Sequence, residues 1–163
     1  MEFLTTAEPV VLALGEALRA RGWRLATAES CTGGLLAAAC TSVAGSSDWF
    51  ERGFVTYSNE AKVQLLGVPA AVIERYGAVS EETVRAMHAG ALRAAPVQLA
   101  AAVTGIAGPG GGTPGKPVGL VWLAWGTAVA PQVRRLQLDG SRGDVRAATV
   151  RLALQCLLEA ARA

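Results

Sequence analysis

The six residues Leu99–Thr104 (LAAAVT) are small, apolar or β-branched without a break. A strand with one face in water alternates apolar and polar residues, so an unbroken run describes a strand covered on both faces. Such a strand needs one layer of structure above its sheet and another below. The rest of the chain supplies both. Thr5–Arg21 places Val11, Leu12, Leu14 and Leu18 close to helical period and stops at Gly22. Arg24–Ala28 (RLATA) reads as a short strand, followed by the turn ESCTGG and a small-residue helix, Leu35–Thr41. Trp49–Ser58 contains a second strand, after which Asn59 caps a helix running to Leu66, with Gly67 in the C-terminal position. A short helix runs from Pro69 to Gly77, and Ser80–Ala94 opens with a Ser cap and the acids Glu81 and Glu82. The buried run then feeds the Gly/Pro loop Gly105–Pro117. Gly119–Trp125 and Gln132–Leu138, joined through Gly126–Pro131, read as a hairpin, and Asp144–Ala161 as a final amphipathic helix. The expected fold class is α/β, with a mixed sheet of about five strands covered on both faces.

With 163 residues, the chain has the size of one domain, expected to span 1–163. Hydrophobic residues make up 52% and charged ones 17%, so there is ample apolar surface to bury and whole-chain disorder is excluded. A net charge of +2 does not describe a protein that lives on a phosphate backbone, and no nucleic-acid partner is expected. The longest apolar stretch, Gly119–Ala130, is too short to span a bilayer, so no membrane partner is expected either. The first residues lack a basic n-region and carry Glu2, Glu8 and Glu16, which does not resemble a secretory signal, and a cytoplasmic location is expected. Cys31, Cys40 and Cys156 are scattered and odd in number, fitting neither a disulfide framework nor a metal-ligand motif. With a single His, no metal site is expected.

Chemistry concentrates at strand-to-helix turns. In ESCTGG (Glu29–Gly34), a turn leaves the end of a strand and presents side chains and free N–H groups at the rim of the sheet, where the next helix N-terminus favours negative charge. Ser30, Cys31 and Thr32 are candidate nucleophiles there; equally, Ser30 or Thr32 could be a helix cap and Cys31 a small buried hydrophobe. The lone His88 falls within a helix and reads as a helix-surface residue, which argues against a Ser-His-Asp triad. The remaining type of base is Lys, competent once burial or a neighbouring cation lowers its pKa. Of two lysines, Lys62 stands one turn into a helix just after a strand, and Lys116 lies in the Gly/Pro loop, which reads as mobile. The ordinary reading of Lys62 is a solvated helix residue. Tyr57, five residues earlier, is either a phenol able to relay a proton beside an ammonium or a packing aromatic. Thr104 and Gly105 begin a loop with six Gly between 105 and 115, suited to close backbone approach and phosphate binding, or simply a flexible surface loop. It contains neither GxxxxGK[ST] nor a GxGxxG that opens a helix.

Taken together, TAESCTGG (27–34), GSSDWFERGFVTYSNEAK (45–62), GAVSEET (77–83), TGIAGPGGG (104–112) and KPVGLVW (116–122) closely resemble the CinA C-terminal domain family, which includes stand-alone nicotinamide-nucleotide amidases. The likeness covers essentially the whole chain in order. It implies a three-layer α/β/α sandwich with a mixed, mostly parallel sheet. It also implies hydrolysis of the carboxamide of nicotinamide mononucleotide to nicotinate mononucleotide and ammonia, with no metal or organic cofactor. By the resemblance, Ser30 is the nucleophile, Lys62 its base, Tyr57 an assisting hydroxyl and Thr104 a further polar active-site residue. The family tends to carry Gly-Asp-Arg before its last helix; here the string is Gly140-Ser141-Arg142, which keeps the substrate-facing Arg142 but alters the neighbour that would orient it. The larger N-terminal domain often found in proteins called CinA has no room in this sequence, so its separate nucleotide activity is not expected.

The expected mechanism is acyl transfer, with the oxyanion met by backbone N–H groups among Cys31, Thr32, Gly33 and Gly34. Arg142 and the loop glycines Gly105, Gly108 and Gly110 are candidates for holding the substrate phosphate. A non-catalytic nucleotide-binding or regulatory module and an amidase for another small carboxamide are the alternatives. Four Trp in a small chain, with Trp49 and Phe50 near the site, are either core residues or a subunit contact; the resemblance favours a homo-oligomer.

Overall fold

The computed structural model describes residues 2–163. Five strands form one sheet in the order β2-β1-β3-β4-β5: β1 (Leu25–Glu29), β2 (Phe50–Val55), β3 (Leu99–Gly105), β4 (Leu120–Gly126) and β5 (Pro131–Gln137). β1 lies parallel to β2 on one side and to β3 on the other, while β4 runs antiparallel to both β3 and β5. Four of the five strands therefore point one way, and the expected hairpin supplies the reversal. Among the described residues six α-helices cover the sheet: α1 (Glu2–Arg21), α2 (Leu35–Cys40), α3 (Asn59–Leu66), α4 (Ala70–Tyr76), α5 (Glu81–Ala94) and α6 (Arg142–Arg162).

The unbroken apolar run of β3 divides between two cores. Leu99, Ala101 and Val103 join Leu14 and Leu18 of α1 and Leu154 and Leu157 of α6. Ala100 and Ala102 face the other way, onto Val84, Met87 and Ala91 of α5 and Leu66 of α3. The α/β/α layering follows from this division. On the α5 face the buried sheet residues are alanines, Ala28, Ala100, Ala102 and Ala124, with the larger Phe54, Trp122 and Val133 only partly buried around them.

Local signals set most of the boundaries. Ser58, rather than the expected Asn59, caps α3 by accepting a hydrogen bond from the Ala61 N–H, and Gly67 closes that helix at φ +64°. α6 starts two residues earlier than expected because Ser141 and Asp144 form a reciprocal capping box. α1 extends to Glu2 and carries Pro9 within it. Trp49 is fully buried against α1 and is a core residue. The Gly/Pro loop is pinned: the Gly119 N–H bonds the Ile106 carbonyl, Thr113 and Lys116 pair through their backbones, and the Lys116 ammonium donates to the Tyr76 carbonyl at 2.6 Å. No helix among the described residues is long and apolar enough to cross a membrane.

The parallel strands β2, β1 and β3 end together, with Glu29 opposite Val55 and Val103. Their carboxyl ends deliver Ser30, Thr56 and Thr104 to one edge of the sheet, the side on which open α/β sheets hold ligands. α3 is seated there by close contact with α5. A Cβ on Gly90 would collide with the Leu66 carbonyl oxygen at the end of α3. The Gly90→Ala variant is expected to lose about 2 kcal/mol through overpacking, read as a melting midpoint lower by about 4 to 8 °C.

Candidate active site

Ser30 follows β1 directly, its N–H bonded to the Val103 carbonyl of the neighbouring strand. Lys62 stands one turn into α3 and is 1% exposed. Its Nζ lies 3.1 Å from Ser30 Oγ and 2.9 Å from the Thr56 carbonyl, with the Tyr57 and Ser58 carbonyls at 3.4 and 3.5 Å. No carboxylate pairs with it among the described residues. Burial pulls the Lys62 pKa below the usual lysine value of 10.5, and the nearby Cys31 pushes the other way. A neutral amine in this position donates its two protons to carbonyls and turns its lone pair to the Ser30 hydroxyl.

The turn after Ser30 is held from two sides. The fully buried Glu29 carboxylate accepts from Thr32 Oγ1 at 2.7 Å and from the N–H groups of Leu36 and Ala37 at 2.8 and 3.0 Å. It therefore occupies the positive end of α2, where a negative charge is favoured. From the other side, Arg146 of α6 donates to the Cys31 carbonyl at 3.2 Å and the Thr32 carbonyl at 2.9 Å. Gly33 and Gly34 take φ +56° and +99°, and the Gly33 N–H is committed to the Ser30 carbonyl. The N–H groups of Cys31, Thr32 and Gly34 meet no oxygen acceptor among the described residues.

Ser30, Cys31, Tyr57, Lys62, Thr104 and Arg142 line one cavity of about 220 Å³. A larger hollow of about 430 Å³, between α5 and the β4–β5 strands, holds no Ser, Thr, Cys or Lys side chain. Cys31 is 5% exposed and its thiol is pushed up to about 11, chiefly by burial, so it stays protonated at neutral pH.

Several expected contacts take a different form. The Tyr57 phenol, which is exposed, does not meet the Lys62 amine; it accepts from Arg142 Nη2 at 3.0 Å, while the Tyr57 backbone carbonyl faces Lys62. The Thr104 hydroxyl donates to the Ala78 carbonyl at 2.8 Å, fixing the Ala78–Val79 wall of the cavity. Arg142 is held by the loop rather than by Ser141: its Nη1 donates to the Gly108 carbonyl at 2.8 Å. Gly105 belongs to β3, and a Cβ there would run into Val121 and the Leu120 carbonyl of β4. Gly108 offers the site a carbonyl acceptor through Arg142, and Gly110 lies exposed outside the cavity lining. His88 is 2% exposed, with its Nε2 3.0 Å from the Gly126 carbonyl, so the expected surface position is overturned by a backbone partner on a distant strand. Among the described residues, no three or more His, Cys, Asp or Glu side chains gather as a metal site.

Known proteins are similar to this chain over nearly its whole length. A nicotinamide-nucleotide amidohydrolase PncC from Pseudomonas putida is 53% identical over 146 residues, covering 90% of this chain and 91% of the relative. The crystal structure of a CinA superfamily protein from Klebsiella pneumoniae superposes with a TM-score of 0.91 at 41% identity, covering 96% of this chain and 98% of the other. A competence/damage-inducible protein from Agrobacterium tumefaciens gives 0.88 at 43% identity, covering 98% and 95%. Residues 7–161 match the CinA C-terminal domain, and this chain belongs to that family.

Proposed function

We propose that this chain hydrolyses the carboxamide of nicotinamide mononucleotide, releasing ammonia and nicotinate mononucleotide, through a Ser30–Lys62 pair. The observation that carries the reading is the 3.1 Å contact between Ser30 Oγ and a buried Lys62 amine that has no carboxylate partner among the described residues. The substrate named is that of the relatives called nicotinamide-nucleotide amidohydrolase.

Neutral Lys62 takes the Ser30 proton as Oγ attacks the amide carbon, and the oxyanion is met by the free N–H groups of Cys31 and Thr32. Lys62, now an ammonium, protonates the leaving nitrogen, and ammonia departs. The same amine then activates the water that cleaves the ester at Ser30. Because the Cys31 thiol is held protonated and the amine contacts the hydroxyl, Ser30 rather than Cys31 is the nucleophile in this mechanism. Arg142, at the cavity rim, supplies the cation for the 5′-phosphate, and Thr104 acts by shaping the wall. The homo-oligomer favoured by the resemblance belongs to the same proposal; with Trp49 in the core, its contacts lie elsewhere on the surface.

Two readings compete, a nucleotide-binding module without turnover and an amidase for another small carboxamide. Mass spectrometry separates the first by looking for a 1 Da gain in the nucleotide, amide to acid. Turnover of the mononucleotide well above that of free nicotinamide, its riboside and the dinucleotide is expected; preference for one of the others overturns the substrate assignment.

The Ser30→Ala and Lys62→Met variants are expected to lose at least about 10³-fold in kcat, the scale of removing a nucleophile or its base. Near-normal ammonia release by Ser30→Ala, together with a dead Cys31→Ala, moves the nucleophile to Cys31.

The Lys62 pKa gives a pH test. Since the neutral amine is the active form and burial lowers its pKa, kcat/KM rises with pH along a limb whose midpoint lies below 10.5. The same shift makes folding release a proton from Lys62 between its folded and unfolded values. The folded state is therefore penalised below the folded pKa and regains stability as pH climbs toward 10.5. Lys62→Met should remove this slope from the unfolding curve as it removes activity.

A further inference from the structure

We infer that Arg146 is the positioning residue that aims and polarises the oxyanion donors of the turn after Ser30. The inference rests on the acyl-transfer reading above and assigns a residue that reading does not use. Arg146 is half-buried on α6, one turn beyond Arg142. Its guanidinium makes no ion pair with a carboxylate among the described residues, and its hydrogen bonds go to two backbone carbonyls, Cys31 and Thr32.

The consequence follows from the planarity of the trans peptide, in which the C=O of one residue and the N–H of the next point in opposite directions. By holding the Cys31 carbonyl, Arg146 Nε fixes the plane that carries the Thr32 N–H, one of the donors without an acceptor. By holding the Thr32 carbonyl, Nη2 fixes the plane that carries the Gly33 N–H. That N–H in turn grips the Ser30 carbonyl at 3.0 Å, and the Ser30 carbonyl shares its peptide with the Cys31 N–H, which meets no oxygen acceptor among the described residues. A relay therefore runs from the guanidinium through two peptide groups to the donor next to the nucleophile. Each bond in such a chain strengthens the next, by roughly 10–30%, and a charged donor at its head is the strong kind. The free N–H groups are thus both oriented and made more acidic before substrate arrives, which is what a preorganised oxyanion site requires.

A staple that merely ties α6 to the turn would show the same contacts, so the test must read transition-state stabilisation apart from binding. Arg146→Met, which keeps the apolar stem, and Arg146→Lys, which keeps a charge but not the fork, are assayed with the mononucleotide. Binding is measured for the product, nicotinate mononucleotide, and for the pyridine-3-carbaldehyde mononucleotide. Ser30 Oγ adds to the aldehyde carbon of that probe as its proton passes to neutral Lys62, and the C=O becomes a C–O single bond whose oxygen takes the negative charge in the oxyanion position. The expected result is a fall in kcat of about 10²-fold for Arg146→Met, within the range set by loss of one oxyanion donor, and a smaller fall for Arg146→Lys. KM and product affinity are retained, and aldehyde affinity drops in step with kcat. The inference is overturned if kcat is unchanged in both variants, or if product and aldehyde affinities fall equally, which is the mark of a collapsed pocket. Ser30→Ala measured alongside separates the two readings. Turnover surviving in Ser30→Ala removes the nucleophile itself, whereas a dead Ser30→Ala with wild-type kcat in both Arg146 variants removes only the assignment of Arg146.

Discussion

An amine sealed beneath the surface, with no carboxylate partner among the described residues, is the constraint around which this molecule is arranged. Burying an ammonium costs several kcal/mol unless something answers it, and a carboxylate is the usual answer. Lys62 receives carbonyl oxygens and a hydroxyl instead. Carbonyl dipoles compensate the charge only in part, so burial still holds the amine pKa below its usual value. These carbonyls come from one short stretch, Thr56–Ser58, between β2 and α3. Everything that fixes that stretch therefore acts on the chemistry: the pairing of β2 with β1, the Ser58 cap, and the close seating of α3 on α5 at Gly90.

The same solution recurs around the site. Glu29 is answered by two backbone N–H groups and a hydroxyl, Arg146 by two carbonyls, and Arg142 by a carbonyl and a phenol. The ion pairs among the described residues, Arg19–Asp48, Arg52–Glu51 and Arg85–Glu81, all lie outside the cavity lining. Charges that neutralise one another have little left for a substrate. Charges satisfied by the backbone keep their sign, and the main chain becomes part of the electrostatic machinery.

How much of this could be read beforehand depended on whether a signal was local. Leu99–Thr104 declared a doubly covered strand, and the turn signals around Gly67, Ser80 and Gly126 marked the elements beside it. Ser30 and Lys62 stood out because each sits at a strand-to-helix junction, and the structure brings the two side chains into contact. What could not be read were partnerships across the fold. Glu29 looked like the first letter of a turn, and only its burial behind α2 gives it three donors. Arg146 was one of thirteen arginines until α6 folded back on the Ser30 turn. His88 and Trp49 were misjudged or left open because their burial is decided by a distant strand and by α1.

The cavity has two kinds of wall, and they differ in how freely they can evolve. Its floor is made of strand ends and peptide groups, where a change of sequence endangers the sheet before it alters the ligand. Its mouth is spanned by the exposed side chains Tyr57 and Arg142, which touch each other and little of the core. Descendants of this fold could thus keep the Ser30–Lys62 contact intact while exchanging two doorway residues to admit ligands of other shapes.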